Sequence, residues 1–437
     1  MRKFLVTLGL LGLLAFPNFA QAPDSFVKVQ GPAFHLNGHR FCFLGTNMWY
    51  GINLGALAEG GNRARLMREL DHLKKIGITN LRIMGASEGI GQPNTVRPPI
   101  QPVPGVYDER LLKGLDFLLA EMGKREMKAV IFLNNYWIWT GGMAQYVAWA
   151  VKQPLPNPFV SSYTWPQFMN FSARFYSETQ AEKWFEQYVR TLILRKNTFT
   201  GVAYKDDPTI MSWQLANEPR PGQGEQGREN FPVFEKWIHH VAAFIRSLDK
   251  NHLISTGNEG LVGCMGDSAL FLKINNDANI DYITFHLWAF NWNWYDPQKP
   301  QKTFDSTLIK ASEYLQRHIR LAQKAGKPLV LEEFGLPRDG HSYSPQATTH
   351  YRDRYYRKIF EWVWQNARAG GPLVGSNFWA WGGEGRPRDS QHPQWRMGDP
   401  FTGDPPQEPQ GLNSVFDSDF STLKIIGRYA KHMNALR

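Results

Sequence analysis

Two glutamates carry the clearest chemical signal in the chain. Ile210-Met211-Ser212-Trp213-Gln214-Leu215-Ala216 has the apolar character of a buried strand and runs directly into Asn217-Glu218-Pro219. Much later, Leu329-Val330-Leu331 leads into Glu332-Glu333-Phe334-Gly335. Each motif places an acid where a strand ends, and a carboxylate there is expensive to bury without a partner or a task. Cleaving a glycosidic bond needs two such groups: one protonates the leaving oxygen, and the other attacks the anomeric carbon or activates water. A lone strand-end glutamate reads equally well as the partner of a structural arginine. Two of them at the same end of one sheet weaken that reading. There is no H-E-x-x-H and no paired cysteine cluster, so no metal and no cofactor is expected.

The elements that must position these acids follow from periodicity. Phe26–Val29, Ala33–Leu36 and Arg40–Leu44 read as short strands around an Asn37-Gly38 turn. Strand patterns then fall at Phe41–Thr46, Asn80–Met84, Ala129–Leu133, Ile210–Ala216, Leu253–Thr256, Tyr282–Leu287, Leu329–Glu332 and Gly375–Trp379. Helical spacing lies between them at Arg63–Ile76, Glu109–Glu121, Gln180–Leu194, Val233–Leu248, Thr307–Ala325 and Tyr351–Asn366, with a poorly marked helix around Ala269–Ile274 and a last one at Thr422–Asn434. Eight strand–helix units predict an α/β fold that closes as a (β/α)8 TIM barrel with long loops at its C-terminal face. An open doubly wound sheet would carry a glycine-rich phosphate turn after its first strand. Gly45-Thr46-Asn47-Met48-Trp49 does not fit that pattern. Two long insertions, from Asn134 to about Thr179 and from Gly382 to about Phe420, follow strand C-termini. Trp395, Met397 and Phe401 suggest that the second packs down on the barrel.

Composition bounds the class of protein. The chain has 437 residues, 42% hydrophobic and 14% aromatic, which excludes a disordered polymer. The net charge of +10 is spread among interleaved acids and bases rather than gathered in a stripe, which argues against nucleic acid. Arg2-Lys3, the apolar run Phe4–Phe16 and Ala20-Gln21-Ala22 form the pattern of a secretory signal. The expectation is a signal peptide over 1–22 and a single exported catalytic domain over 23–437, periplasmic or secreted, with no membrane span and a monomeric state. Cys42 and Cys264 either pair, as export allows, or stay as buried thiols.

Asn217-Glu218-Pro219 and Glu333-Phe334-Gly335 resemble the acid/base and nucleophile signatures of glycoside hydrolase family 5. Asn134-Asn135-Tyr136-Trp137, with Gly141-Gly142-Met143 and the residues through Trp149, resembles the β-mannan-degrading branch of that family. The resemblance implies that Glu218 is the acid/base and Glu333 the nucleophile of a retaining enzyme acting on β-mannan or manno-oligosaccharides. It sets Arg82 beside the nucleophile, Asn217 on the sugar 2-hydroxyl, His286 in the site, Trp379 under the −1 sugar, and Asn135 among the substrate-binding residues. Trp49 and Trp137, with Trp139, Trp292 and Trp294, are candidates for further subsites or for packing. Trp288 stands where much of the family has Tyr, and the family's hydroxyl contact to the nucleophile is thereby without its hydroxyl. On this reading Arg82 keeps Glu333 ionised, while burial and the Glu333 charge keep a proton on Glu218. Gly403-Asp404-Pro405-Pro406-Gln407-Glu408 resembles exo-acting β-mannosidases of the family, which favours exo action over an endo-β-1,4-mannanase. A cellulase-type glucanase and a non-catalytic sugar-binding barrel are the remaining alternatives.

Overall fold

The structure, a computed structural model, describes residues 25–160 and 162–436. The secretory pattern therefore lies outside the described residues. Eight parallel strands form the barrel wall: Phe43–Asn47 (β1), Asn80–Met84 (β2), Lys128–Phe132 (β3), Ile210–Gln214 (β4), Leu253–Ser255 (β5), Ile283–Leu287 (β6), Leu329–Phe334 (β7) and Leu373–Phe378 (β8). Their order is β5-β4-β3-β2-β1-β8-β7-β6. The seam between β5 and β6 closes without a regular ladder. Asp281 bridges it, its backbone N–H donating to Ile254 O at 2.8 Å and its carboxylate accepting from Ile254 N at 2.7 Å. The (β/α)8 expectation is met, and each strand lies within one or two residues of its predicted place.

The helices Arg63–Lys75 (α1), Glu109–Lys124 (α2), Thr179–Ile193 (α3), Gly224–Leu248 (α4), Ser268–Asn275 (α5), Pro300–Ala325 (α6), His350–Arg368 (α7) and Phe420–Asn434 (α8) lie between the strands and after the last. Two begin well before their predicted starts. Pro300 opens α6 at a position where its missing N–H costs nothing. Pro232 lies inside α4, where buried Phe231 and Phe234 on either side hold the helix together across the lost hydrogen bond. The weakly marked α5 is fixed at its start by Asp267, whose carboxylate accepts from the Ala269 and Leu270 amides.

The barrel floor is closed by an antiparallel meander of Lys28–Gln30, Ala33–Leu36 and His39–Phe41, turning through Asn37 and Gly38, both at positive φ. Cys42, between this meander and β1, and Cys264 are both buried free thiols, so of the two readings the unpaired one holds. The first insertion is largely helical, with Gly142–Val151 and Trp165–Ala173. Gly142, at φ 56°, starts its helix so close to β3 that a Cβ there would lie 2.1 Å from Asn135 O. The second insertion is irregular apart from Trp381–Gly383 pairing with Val415–Phe416. It packs down as expected through Trp395 and Phe401, which stack at 5.7 Å, but Met397 remains exposed.

Candidate active site

Glu218 leaves β4 in a backbone conformation unusual for its type, with φ 49°. Ladder-like bonds continue past the strand end and fix it there. Asn217 N donates to Asn134 O at 2.8 Å, and Glu218 N donates to Gly257 O at 2.9 Å. Glu333 lies near the end of β7, where the register against β6 shifts between Leu331 and Glu333. Side chains of consecutive strand residues ordinarily face opposite sides. The shift lets both Glu332 and Glu333 turn toward Arg82, as a bulge re-aims a side chain.

The two catalytic-type carboxyls converge. Oxygens of Glu218 and Glu333 and a ring nitrogen of His286 all lie within 4.8 Å of one another. His286 Nδ1 is 2.6 Å from Glu218 Oε1 and 3.3 Å from Glu333 Oε2. These three residues are also the group, among those described, that could hold a metal ion. The hydrogen bond between His286 and Glu218 already uses two of the lone pairs an ion would need.

Arg82 is fully buried beneath the pair and not at the pocket surface, which corrects its assignment as a substrate contact. Its guanidinium donates to Glu333, to Gln214 Oε1 at 2.7 Å, to Asn47 Oδ1 at 3.1 Å and to Asn217 Oδ1 at 2.7 Å, and lies 3.6 Å from Glu332. Gln214 in turn donates to both Glu332 oxygens at 2.6 Å. Asn135, also expected at the substrate, is buried instead and accepts from the Asn217 side chain at 3.0 Å. It holds that amide in place, and Asn217 itself reaches the pocket.

Glu218 receives more donors than the sequence suggested. Besides His286, the Trp137 indole N–H donates to Oε2 and the Trp288 indole N–H to Oε1 at 3.3 Å. Trp288 thus serves the acid/base candidate rather than Glu333. Behind Trp137, Arg220 lies over the indole ring at 4.9 Å and pairs with buried Glu259. Burial favours a protonated Glu218, but the His286 contact, the Arg220 charge and the Trp137 N–H outweigh it and draw the carboxyl well below its ordinary range. Burial pushes Glu333 up, aided by the Glu218 charge and opposed by Arg82. Arg82 divides its charge between Glu332 and Glu333, while the partners of Glu218 come from β6 (His286) and from the loops that carry Trp137 and Trp288.

A cavity of about 440 Å3 opens over the pair, lined among others by Trp137, Trp139, Trp288, Trp292 and Trp379. Trp49 does not line it. Its indole is buried, donates to Gly403 O at 3.0 Å and packs edge-on against Phe401, so it anchors the second insertion. Trp294 is also off the pocket. His286 is fully buried and acts between the carboxyls rather than on the surface. The residues that sequence reading missed are Arg220, Glu259, Trp165, Asn291 and Gln407 with Glu408 in the lining, and Gln214 in the network beneath it. Arg220 follows Asn217-Glu218-Pro219 directly, and Glu408 ends a segment already singled out, so both were within reach of the motif.

A family profile described as "GH family 5 beta-mannosidase-like" matches residues 24–437. The crystal structure of a glycoside hydrolase family 5 mannosidase from Rhizomucor miehei aligns at 36% identity with a TM-score of 0.87, over 95% of this chain and 99% of that one. The endo-β-1,4-mannanase of Thermotoga petrophila aligns at 26% identity and a TM-score of 0.64, over 91% of this chain and 78% of its own. Mannan endo-1,4-β-mannosidase 4 of Solanum lycopersicum is 30% identical over 390 residues, 85% of this chain and 89% of the relative.

Proposed function

The chain belongs to the β-mannosidase-like branch of glycoside hydrolase family 5, and from that premise we propose that it is a retaining β-mannan hydrolase that removes mannose from non-reducing ends. The observation that carries the reaction is the spacing of Glu218 and Glu333. Their nearest oxygens lie within 4.8 Å, in keeping with the ~5–5.5 Å of double displacement and not the ~6.5–9.5 Å that leaves room for a water in inversion. Glu333 attacks the anomeric carbon while Glu218 gives its proton to the departing oxygen. Glu218 then takes a proton from water as that water releases the mannosyl group from Glu333. The pair holds one proton between two carboxyls. His286 Nδ1 lies in reach of both, at 2.6 Å from Glu218 and 3.3 Å from Glu333.

The exo reading is supported by the second insertion. Gln407 and Glu408 enter the pocket lining, with Glu408 beside Trp379. Gln407 Oε1 and Glu408 Oε2 are buried without a hydrogen-bond partner among the described residues, a place where the hydroxyls of a terminal sugar would donate. Burial, with Asp404 behind it, pushes Glu408 up to about 8. An exported enzyme fits the leader-like N-terminus, and no helix among the described residues is long and apolar enough to cross a membrane. Digestion of mannohexaose decides between modes. Mannose as the sole early product is expected, a ladder of mid-sized products would assign endo action, and cleavage of cellohexaose in preference to mannohexaose would overturn the substrate.

A further inference from the structure

The acid/base side of the pocket does not end at Trp137. Trp137 meets Trp165 edge-to-face at 5.8 Å, and Trp165 meets Phe159 at 5.4 Å with the rings perpendicular. Trp165 lines the catalytic cavity, yet it is 39% exposed and Phe159 is 41% exposed. Large rings held out in water beside a pocket are the surfaces that mark a ligand site. The ridge is also rigid. Trp165 opens the helix Trp165–Ala173, whose first turn is locked by a capping box in which Thr164 N donates to Gln167 Oε1 at 2.8 Å. Buried Phe168 packs beneath, stacked with Trp137 at 6.5 Å and edge-on to Trp165 at 5.7 Å. No rearrangement is needed to present these rings.

The group that protonates the departing oxygen stands on the leaving-group side of the bond, so whatever lies beyond Glu218 and Trp137 meets the departing part of the chain. We propose that Trp165 and Phe159 form a binding platform for the leaving oligosaccharide, a neutral β-1,4-linked mannose chain whose outer pyranose rings lay their C–H faces on the exposed aromatic surface. This rests on the reading of Glu218 as acid/base. Longer substrates lay more departing rings on this ridge than mannobiose can, which gives a terminal cutter a grip on chain length.

The test compares kcat/KM on mannobiose, mannotetraose and mannohexaose for the natural protein and for Phe159→Ala, Trp165→Ala and Trp165→Phe. In the natural protein kcat/KM is expected to rise about five- to tenfold from mannobiose to the longer substrates, the scale of one or two aromatic contacts. Phe159→Ala should lose that rise while mannobiose turnover stays within about twofold, Trp165→Ala should flatten the ratio of long to short substrates, and Trp165→Phe should lie between it and the natural protein. Phe159 touches neither Trp137 nor Glu218 in the ring contacts above, so its variant reports on the platform even if Trp165→Ala fails to fold. Chain-length dependence that survives in the variants, or is missing from the natural protein, would overturn the platform. An equal fall on mannobiose and mannohexaose would also overturn it, by making Trp165 a buttress for Trp137. Inability of the natural protein to cleave mannobiose or any longer mannoside would instead defeat the functional reading beneath it.

Discussion

A glutamate at φ 49° followed by proline is held against its own backbone preference, at a cost of roughly 1–3 kcal/mol. The bonds from Asn217 and Glu218 to the loops after β3 and β5 sustain that conformation, and it aims the carboxyl at His286 and Glu333. Glu218→Gln and Glu333→Gln are each expected to lower kcat on mannobiose by at least about 100-fold with thermal unfolding little changed. Near-normal turnover in either would remove its role. The pair should titrate as a unit, active with one proton and inactive with two or none, so kcat/KM follows a bell in pH. Glu218→Gln should abolish the alkaline limb in its residual activity on an aryl mannoside with a good leaving group, because that limb is loss of the shared proton. The two glutamates were legible from type and position alone. Their surroundings were not, since Trp137, Trp288, Arg220 and His286 meet Glu218 and Arg82 meets Glu333 over distances that have no trace in local sequence.

Among the elements, strands were the most readable, because each barrel strand is a short apolar run bounded by polar turns. Helix starts were less so: α4 runs through Pro232 and α6 begins on Pro300, two positions of one residue type with opposite meaning for a helix. The second insertion has no periodicity and was readable only as a loop that packs down. Its fold hangs on Asp404, a buried carboxylate that accepts from Gly411 N at 2.8 Å, Asn413 N at 2.7 Å, Ser414 N at 3.3 Å and the Ser414 hydroxyl. Asp404→Ala leaves these donors unpaired and should cost about 2–4 kcal/mol of stability. It should also loosen Gln407 and Glu408, so that KM for mannobiose rises more than kcat falls. An unchanged KM in a folded variant would show that the clasp does not position the wall.

At the scale of the molecule, stability should depend on pH through buried acids that burial pushes above their ordinary range. Glu88 accepts from Gly142 N at 2.9 Å through one oxygen, its other oxygen has no partner among the described residues, and burial pushes it from 4.5 to about 8. Between those values the folded protein keeps a proton that the unfolded chain has lost. The unfolded state binds fewer protons, so stability falls as pH rises through this window. Glu88→Gln keeps the acceptor for Gly142 and should flatten the fall in unfolding midpoint between pH ~5 and ~8. An unaltered slope would mean that the other raised acids, Glu259 and Glu408, account for it.

What the amino-acid sequence determined by itself is what local pattern can encode: the alternation of strands and helices, hence the barrel, and two glutamates delivered to the same rim of it. Tertiary structure alone decided how one guanidinium is shared between Glu332 and Glu333, which tryptophans line the cavity and which, like Trp49, brace a loop, and which donors gather around Glu218. Those outcomes follow from burial and from distances of a few ångströms between residues remote in the chain, and electrostatic and packing energies are set by such distances rather than by order along the backbone.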